Sequence, residues 1–215
     1  MATDAPERAS KGERTRRAIL GAAVQRFASD GYRTASVADI ARDAGVGGSL
    51  PYAYFQNKAD LFLAALDEDT AALMAQGLAN VTDDPEDRSW RENLVFTLVA
   101  ALEDHPLAKR VLAGLEPEAT YSVIDLPALA ELSKAVVERL RSEQATGAVR
   151  SDIDPEEIGN GSVVIIISLV MSVLQFGEER TRKHSRDVLA VFEAAIDPPA
   201  PPAHEASRPT RRASG

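Results

Sequence analysis

Side chains able to hold a phosphate backbone are concentrated near the amino end of the chain. Tyr52 and Tyr54 can place their phenolic hydroxyls on phosphate oxygens, and Lys58 can add a point charge. Ser36 stands at the predicted start of a helix, where backbone N–H groups and the positive end of the helix dipole attract an anion. Helix capping alone would also explain Ser36, and Tyr52 could instead belong to the core. The pattern predicts contact with double-stranded DNA.

The segment predicted to reach base edges has few hydrogen-bonding groups. Gly47 and Gly48 precede Ser49 and Leu50, and Pro51 follows. Because proline has no N–H and fits only the first turn of a helix, Ser49 is predicted as the N-cap of a short helix that starts late. Ser49 would read a base by hydrogen bonding and Leu50 by contact with a thymine methyl, so direct readout is expected to be limited.

The residues needed for catalysis or metal binding are scattered or missing. His105, His184 and His204 lie far apart, and the chain has no cysteine. The glycines at 45, 47 and 48 do not form a nucleotide loop, because no predicted strand precedes them and no Gly-Lys-Ser/Thr follows. The sequence therefore predicts a protein that is not an enzyme and that has no cofactor and no metal site.

Three helical segments are predicted to position the DNA-facing residues, and the last two are short and joined by a glycine turn. The first helix has an apolar stripe at helical spacing and ends at Gly31. The second begins at Ser36, with Asp39 as the reciprocal member of a capping box, and Gly45 breaks it. A third segment covers residues 48–55, which gives the order of a helix-turn-helix.

This stretch resembles the tetracycline-repressor (TetR) family of bacterial transcriptional regulators over roughly the first third of the chain. The matching positions are Phe27, Gly31, Tyr32, Ser36, Val37, Ile40, Ala41, Ala44, Gly45, Val46, Tyr52, Tyr54, Phe55, Lys58 and Leu61. The resemblance implies an N-terminal three-helix helix-turn-helix module and a larger helical domain that binds an effector and forms a homodimer. It also implies phosphate contacts by Tyr52, Tyr54 and Lys58.

Charge is distributed unevenly along the chain. The net charge is −9, yet the residues through Phe62 include nine basic and seven acidic side chains and so carry +2, which leaves −11 for the remainder. The acidic remainder of the chain, here called the body, would repel DNA. The residues through Phe62, here called the head, would therefore be the part that approaches it. Arg14 and Arg16 in that head are predicted to bind phosphate or to enter the adjacent minor groove, with a solvated helix start as the alternative.

The rest of the chain is predicted to be a series of helices with no strand pattern and no internal repeat. Helix starts are expected at Asn57, at residues 84–87, at His105 and at Asp154, where N-capping side chains or prolines occur. Residues 116–126 are expected to form a loop. The predicted fold class is therefore all-α, with about nine helices in total.

The eighth predicted helix is apolar around nearly its whole circumference over residues 163–174, so it must be buried on more than one side. Pairing of the last two helices with their copies in a second subunit would cover it as a four-helix bundle. A central core helix of a monomer is the alternative. The predicted dimer-interface residues are Val164, Ile167, Met171, Leu174, Val188, Phe192 and Ile196.

An effector cavity is expected inside the helical body, as the resemblance implies. Its predicted lining is Trp90, Phe96, Tyr121 and Met171, because large or adaptable side chains line ligand pockets. Each of the four could instead be ordinary core. Few charged residues are expected there, so the small-molecule effector is predicted to be largely apolar.

The chain is predicted to divide into four regions. These are a flexible arm at residues 1–10, the DNA-binding domain at 11–56, an effector-binding and dimerisation domain at 57–197, and a disordered tail at 198–215. The predicted location is the cytoplasm, because the amino end lacks the apolar core of a signal peptide and no apolar run is long enough to suggest a membrane span.

The predicted function is that of a ligand-responsive transcriptional regulator. It is expected to bind a near-palindromic operator as a homodimer, most simply as a repressor that the effector releases. The alternative is a helical small-molecule-binding or scaffolding dimer without sequence-specific DNA binding.

Overall fold

The chain folds as an all-α protein in a computed structural model, which describes residues 10–79, 90–120, 123 and 125–198. Its helices are α1 (Lys11–Thr34), α2 (Val37–Asp43), α3 (Lys58–Leu78), α4 (Trp90–Ala101), α5 (Pro106–Leu112), α6 (Pro117–Thr120), α7 (Pro127–Thr146), α8 (Pro155–Phe176) and α9 (Glu178–Ile196). A 3-10 turn at Leu50–Ala53, here called the recognition turn, lies between α2 and α3. The predicted all-α class is confirmed.

Local sequence rules account for the amino-terminal helices. Ser10 caps α1 in a complete capping box with Glu13. The helical geometry of α1 is interrupted at Gly31, which has φ 78° and ψ 162°, but α1 continues to Thr34, so the predicted end of the helix is a kink inside it. Ser36 caps α2 by accepting a hydrogen bond from the Ala38 N–H at 3.2 Å, as predicted.

Two details of this module differ from the prediction. The Asp39 carboxylate does not complete a capping box, because it pairs with Arg42 one turn along α2 at 2.6 Å. Ser49 stands at the start of the recognition turn but its side chain makes no capping hydrogen bond. With Pro51 in the first turn, the segment is a single 3-10 turn and even shorter than the late-starting helix that was expected.

Helix α3 connects the amino-terminal module to the body. It starts at the Asn57 cap, whose side chain accepts from the Asp60 N–H at 2.9 Å, as the sequence indicates. One face buries Leu61, Leu66 and Leu73. Helix α3 packs against α1 on one side and against α4, α5 and α7 of the body, so it is one of the elements that join the two parts.

The body is built around α7 and α8. Asp154 caps α8 by accepting from the Glu156 N–H at 2.8 Å, and proline occupies its first turn, as predicted. The two helices approach closely at Gly159, where an added Cβ would lie 2.5 Å from a Val137 methyl and 3.2 Å from the Val137 Cα. Gly147, in the left-handed conformation, ends α7 where expected.

Residues 116–126 are not a plain loop as predicted. Within that range, α6 forms one helical turn at Pro117–Thr120, and Ala119 packs into the core. The preceding residue, Glu116, is fixed by a long-range hydrogen bond from the Tyr32 N–H at 3.1 Å. The expected helix start at residues 84–87, the arm before Ser10 and the tail after residue 198 lie outside the described residues.

Helix α8 is the one described helix long and apolar enough to cross a membrane by length and composition. At 22 residues, α8 is longer than the apolar run at residues 163–174 that the sequence indicated. Only 39% of its apolar window is buried in the subunit. Such a helix is weak evidence for a span, because core helices of water-soluble proteins pass the same test.

Candidate nucleic-acid interface

The recognition turn is anchored on one side and exposed on the other. Pro51 and Phe55 are buried, with Phe55 only 4% exposed, which confirms its predicted core position. Leu50 is 37% exposed and Tyr52 is 56% exposed. The core alternative for Tyr52 is therefore wrong, and its hydroxyl is accessible to a phosphate.

A glycine turn sets the path from α2 to the recognition turn. Gly45 has φ 68°, and the Val46 N–H donates to the Ala41 carbonyl at 2.9 Å, which closes the end of α2. An added Cβ at Gly47 or Gly48 would meet nothing within 4 Å. The chain before the recognition turn therefore presents bare backbone, and a partner can approach it closely.

Helix α1 brings basic residues beside this turn. Lys11, Arg14, Arg16 and Arg17 all lie on its first two turns and are exposed. The Arg16 guanidinium lies 5.4 Å from the centre of the Phe55 ring, so α1 and the segment after the recognition turn share one surface. The half-buried Tyr54 is also next to Phe55.

Ion pairs neutralise other basic residues of the head. Arg26 lies against Asp43 and Asp30, and these two carboxylates, Asp43 first, raise the pKa of its guanidinium. Arg42 pairs with Asp39, and Arg33 with Glu118 of α6. The positive surface of the head is consequently focused on the amino end of α1.

Lys58 occupies a defined position at the start of α3. Its ammonium donates to the Arg33 carbonyl at 3.2 Å and lies 4.8 Å from the centre of the Tyr32 ring. Lys58 thus joins the end of α1 to the connector helix while remaining half-buried. A phosphate would have to compete with these contacts or share the ammonium, which has three donors.

The end of α1 is attached to the body by a partly buried polar contact. Arg110 of α5 donates to the Glu116 carboxylate at 2.8 Å and to the Ala28 carbonyl at 3.3 Å. The same Glu116 oxygen accepts from the Tyr32 N–H. On the opposite end of α5, the buried Asp69 of α3 accepts from the N–H groups of Leu107 and Ala108 at 3.0 and 2.8 Å.

The structure does not bring the four predicted effector residues together. Trp90 is buried, and its indole N–H donates to Glu143 at 2.6 Å, so it is fixed core. Phe96 is 64% exposed, because the buried face of α4 carries Leu94 and Leu98 instead. Tyr121 lies outside the described residues. Of the three that are described, Met171 lines a groove beside α7 and α8.

The predicted dimer-interface residues divide into two groups. Val164 is 51% exposed, and Met171, Leu174, Val188 and Phe192 are half-buried, so a partner could reach them. Ile167 and Ile196 are buried within the subunit, which corrects their assignment to the interface. Ile167 joins the core beside α7, and the Ile196 carbonyl accepts from the Arg150 N–H at 2.9 Å.

The body contains a buried charged cluster that was not predicted from the sequence. Glu143 is fully buried and accepts hydrogen bonds from Trp90, Arg91 and Arg139. The sequence did contain an indication, because Glu143 lies three residues after Leu140 on the apolar stripe of α7. In the described residues no group of three metal-ligating side chains comes together.

The geometry defines a helix-turn-helix unit, and comparisons with known proteins show which regulators it resembles. Residues 19–65 match the family model for bacterial regulatory proteins of the tetR family. The HTH-type transcriptional regulator YdgC of Bacillus subtilis is 29% identical over 78% of this chain and 85% of its own length. The HTH-type transcriptional repressor Rv1474c of Mycobacterium tuberculosis is 27% identical over 78% of this chain and 86% of its own length.

Solved structures agree with this fold. A TetR-family transcription regulator from Shewanella sp. PV-4 superposes with a TM-score of 0.60 at 24% identity, over 86% of this chain and 99% of that one. The chain matches the TetR family model over residues 19–65 and shares the fold of TetR-family structures, as the resemblance indicated. It is a DNA-binding transcriptional regulator, a class whose members are not enzymes.

Proposed function

We propose that this regulator is a cytoplasmic repressor that binds a near-palindromic operator as a homodimer and leaves it when a small, largely apolar effector binds. The observation that carries the proposal is the exposure of Leu50 and Tyr52 on a turn whose other side is anchored by Pro51 and Phe55. The naming of the mycobacterial relative as a repressor supports the direction of regulation.

The DNA-facing residues have distinct proposed roles. Ser36, Tyr52, Tyr54 and Lys58 hold phosphates and fix the register of the head. Ser49 and Leu50 contact base edges, and Gly48 lets the backbone come close to the groove. Arg14 and Arg16, on the exposed amino end of α1, bind the neighbouring phosphates or enter the minor groove.

Limited base contact implies that DNA shape contributes to recognition. Ser49 and the recognition turn after it would offer base edges one serine hydroxyl and one leucine, which discriminate less than a bidentate arginine on guanine. Arg14 and Arg16 would then supply both affinity and shape readout. An Arg14→Ala, Arg16→Ala variant should bind more weakly and show a shallower salt dependence, since each lost phosphate contact reduces the slope by about 0.9.

A face of α8 supports the proposed dimer. Val164 and Ile165 are exposed there. The Ser168 and Ser172 hydroxyls donate to carbonyls one turn back, at 2.7 and 2.8 Å, so they satisfy themselves within the helix. The face therefore presents little unmet polarity to a second copy, and α9 also carries an exposed apolar side chain, Val191, which is 71% exposed.

A groove between α7 and α8 is the proposed effector site. Its volume is about 470 Å³, within the range of drug-sized pockets. The walls are mostly apolar. Besides Ser168, whose hydroxyl is bonded within α8, the polar groups that could orient a ligand are Asp125, Ser133 and Asn160. Val164 and Met171 border both this groove and the proposed dimer face, so a bound effector would change the pairing of the subunits. A coupling of about 1 to 3 kcal/mol would be typical.

One observation favours a second function. Because Gly47 and Gly48 are bare and the recognition turn carries few donors, the chain could act as a ligand-binding or scaffolding dimer that does not discriminate DNA sequences. Such a protein would still bind DNA weakly through the basic end of α1.

Selection of duplexes from a random pool separates the two functions. The wild type should enrich a near-palindromic sequence, and Tyr52→Ala should lose that enrichment. Phe96→Ala is the matched control, because Phe96 is also an exposed aromatic residue but lies on the body. Weak binding without enrichment by the wild type would instead support the second function.

A further inference from the structure

One cavity beside the head takes no part in the DNA contacts or in the effector site proposed above. It is a cleft of about 540 Å³ between the end of α1, the first turns of α3 and the α5–α6 segment, here called the junction cleft. Its lining is Asp30, Gly31, Tyr32, Arg33, Thr34, Ala59, Phe62, Leu63, Arg110, Leu115, Glu116, Pro117, Glu118 and Ala119.

Apolar side chains on two walls of the junction cleft are left exposed. Leu63 of α3 is 40% exposed, and Leu115, after α5, is 60% exposed. Both line the cleft, together with the buried Phe62. A ligand with an apolar group could cover these leucines and remove their surface from water, which favours binding.

The deeper charged groups of the cleft are already committed. The Glu116 carboxylate accepts from the Tyr32 N–H and from Arg110, and its side chain is only 12% exposed. Arg110 also donates to the Ala28 carbonyl. This contact forms a fixed wall and would not be exchanged for a ligand without loosening the attachment of the head.

The outer charged pair is different because it is solvated. Arg33 and Glu118 face each other across the cleft at 2.8 Å, with side chains 84% and 70% exposed. An exposed pair of this kind stabilises little and can exchange partners with a ligand. It offers one guanidinium and one carboxylate side by side, next to the apolar walls.

We propose that the junction cleft binds a small zwitterion with an apolar side chain, such as a hydrophobic α-amino acid. The ligand carboxylate lies on Arg33, its ammonium lies on Glu118, and its side chain covers Leu63 and Leu115. A molecule with only one charge would leave one member of the pair unmatched. A zwitterion without a side chain would leave the leucines exposed.

The test is a titration of the full chain, with its leucine methyl groups labelled for NMR, using L-leucine as the probe. The Leu115 resonances are assigned through Leu115→Ala. We expect saturable shifts at Leu115 with a dissociation constant of about 1 mM, ordinary for a ligand of this size. Glycine, isopentylamine and 4-methylpentanoate should each bind at least about threefold more weakly, since each lacks one of the contacts.

Charge-neutral variants test the pairing itself. Arg33→Gln and Glu118→Gln should each weaken L-leucine binding by about threefold, the size of effect expected for an exposed ion pair. Arg141→Gln is the matched control, because Arg141 forms a similarly exposed pair with Glu156 on the body. It should leave the affinity unchanged.

Three results would overturn the proposal. The first is the absence of saturable shifts up to about 20 mM L-leucine, a concentration well above the expected dissociation constant. The second is equal binding of L-leucine and isopentylamine. The third is unchanged affinity for L-leucine in both Arg33→Gln and Glu118→Gln. None of these results depends on operator binding, so the amino-acid site and the repressor function can fail separately.

Discussion

Gly31 is the position where a single methyl group should most clearly disturb the attachment of the head. Its φ of 78° and ψ of 162° belong to a region that residues with a side chain rarely adopt. An added Cβ would also lie 2.6 Å from an Arg110 guanidinium nitrogen and 2.8 Å from a Glu116 carboxylate oxygen. Gly31→Ala must therefore strain the backbone and displace the contact that joins α1 to α5.

The expected cost follows from these two effects. Backbone strain of this kind costs about 1 to 3 kcal/mol. The Arg110 and Glu116 side chains can move aside cheaply because their ends are flexible, but their partly buried hydrogen bonds would be lost, at about 1 kcal/mol. We expect Gly31→Ala to lower the free energy of unfolding by about 2 to 4 kcal/mol in total.

Urea unfolding followed by far-UV circular dichroism, at one fixed protein concentration, measures this change. Gly21→Ala is the control in the same helix, because Gly21 is exposed and an added Cβ meets nothing within 4 Å. Gly21→Ala should raise the free energy of unfolding by about 0.5 to 1 kcal/mol. If Gly31→Ala stays within about 0.5 kcal/mol of the wild type, the reasoning about strain and attachment is refuted.

Three further variants test the body, the DNA contacts and the dimer. Glu143→Gln leaves Arg91 and Arg139 facing an amide in a buried site. The free energy of unfolding, measured by thermal unfolding, should therefore fall by about 2 to 4 kcal/mol. An unchanged Tm would contradict the buried pairing. Tyr52→Phe should weaken operator binding about fivefold in fluorescence anisotropy, by loss of one hydrogen bond, with no change in Tm; full affinity would exclude the phosphate contact. Val164→Glu should sediment as a monomer while Val164→Ala remains a dimer, and a dimer in both would place the interface elsewhere.

Features that depend on nearby residues were predictable from the sequence. Ser36 caps α2, Asp154 caps α8 and Gly31 interrupts α1, because each depends on hydrogen bonds or dihedral angles within a few residues. The position of Phe55 in the core and the short recognition turn around Pro51 follow from the same kind of reasoning.

Features that depend on distant residues were not predictable. Glu116 fixes the turn of α6 through the Tyr32 N–H, a partner 84 residues away, so a loop was the natural expectation. Phe96 and Ile167 were misplaced because periodicity identifies an apolar face without saying which neighbour covers it. On helices that are apolar nearly all round, such as α8, the choice between core and interface needs coordinates.

If the proposed DNA-binding mode is correct, the recognition turns of the two subunits lie in successive major grooves of a bound operator, and this position can be measured. The chain has no cysteine, so Ala53→Cys provides a unique site for a tethered iron chelate that cleaves nearby DNA. Two symmetric cleavage clusters are expected, separated by about 10 base pairs or a multiple of that spacing. Ser151→Cys, on the exposed turn between α7 and α8, should cleave little. A single cluster, or stronger cleavage from Ser151→Cys, would contradict the placement of two recognition turns in successive major grooves.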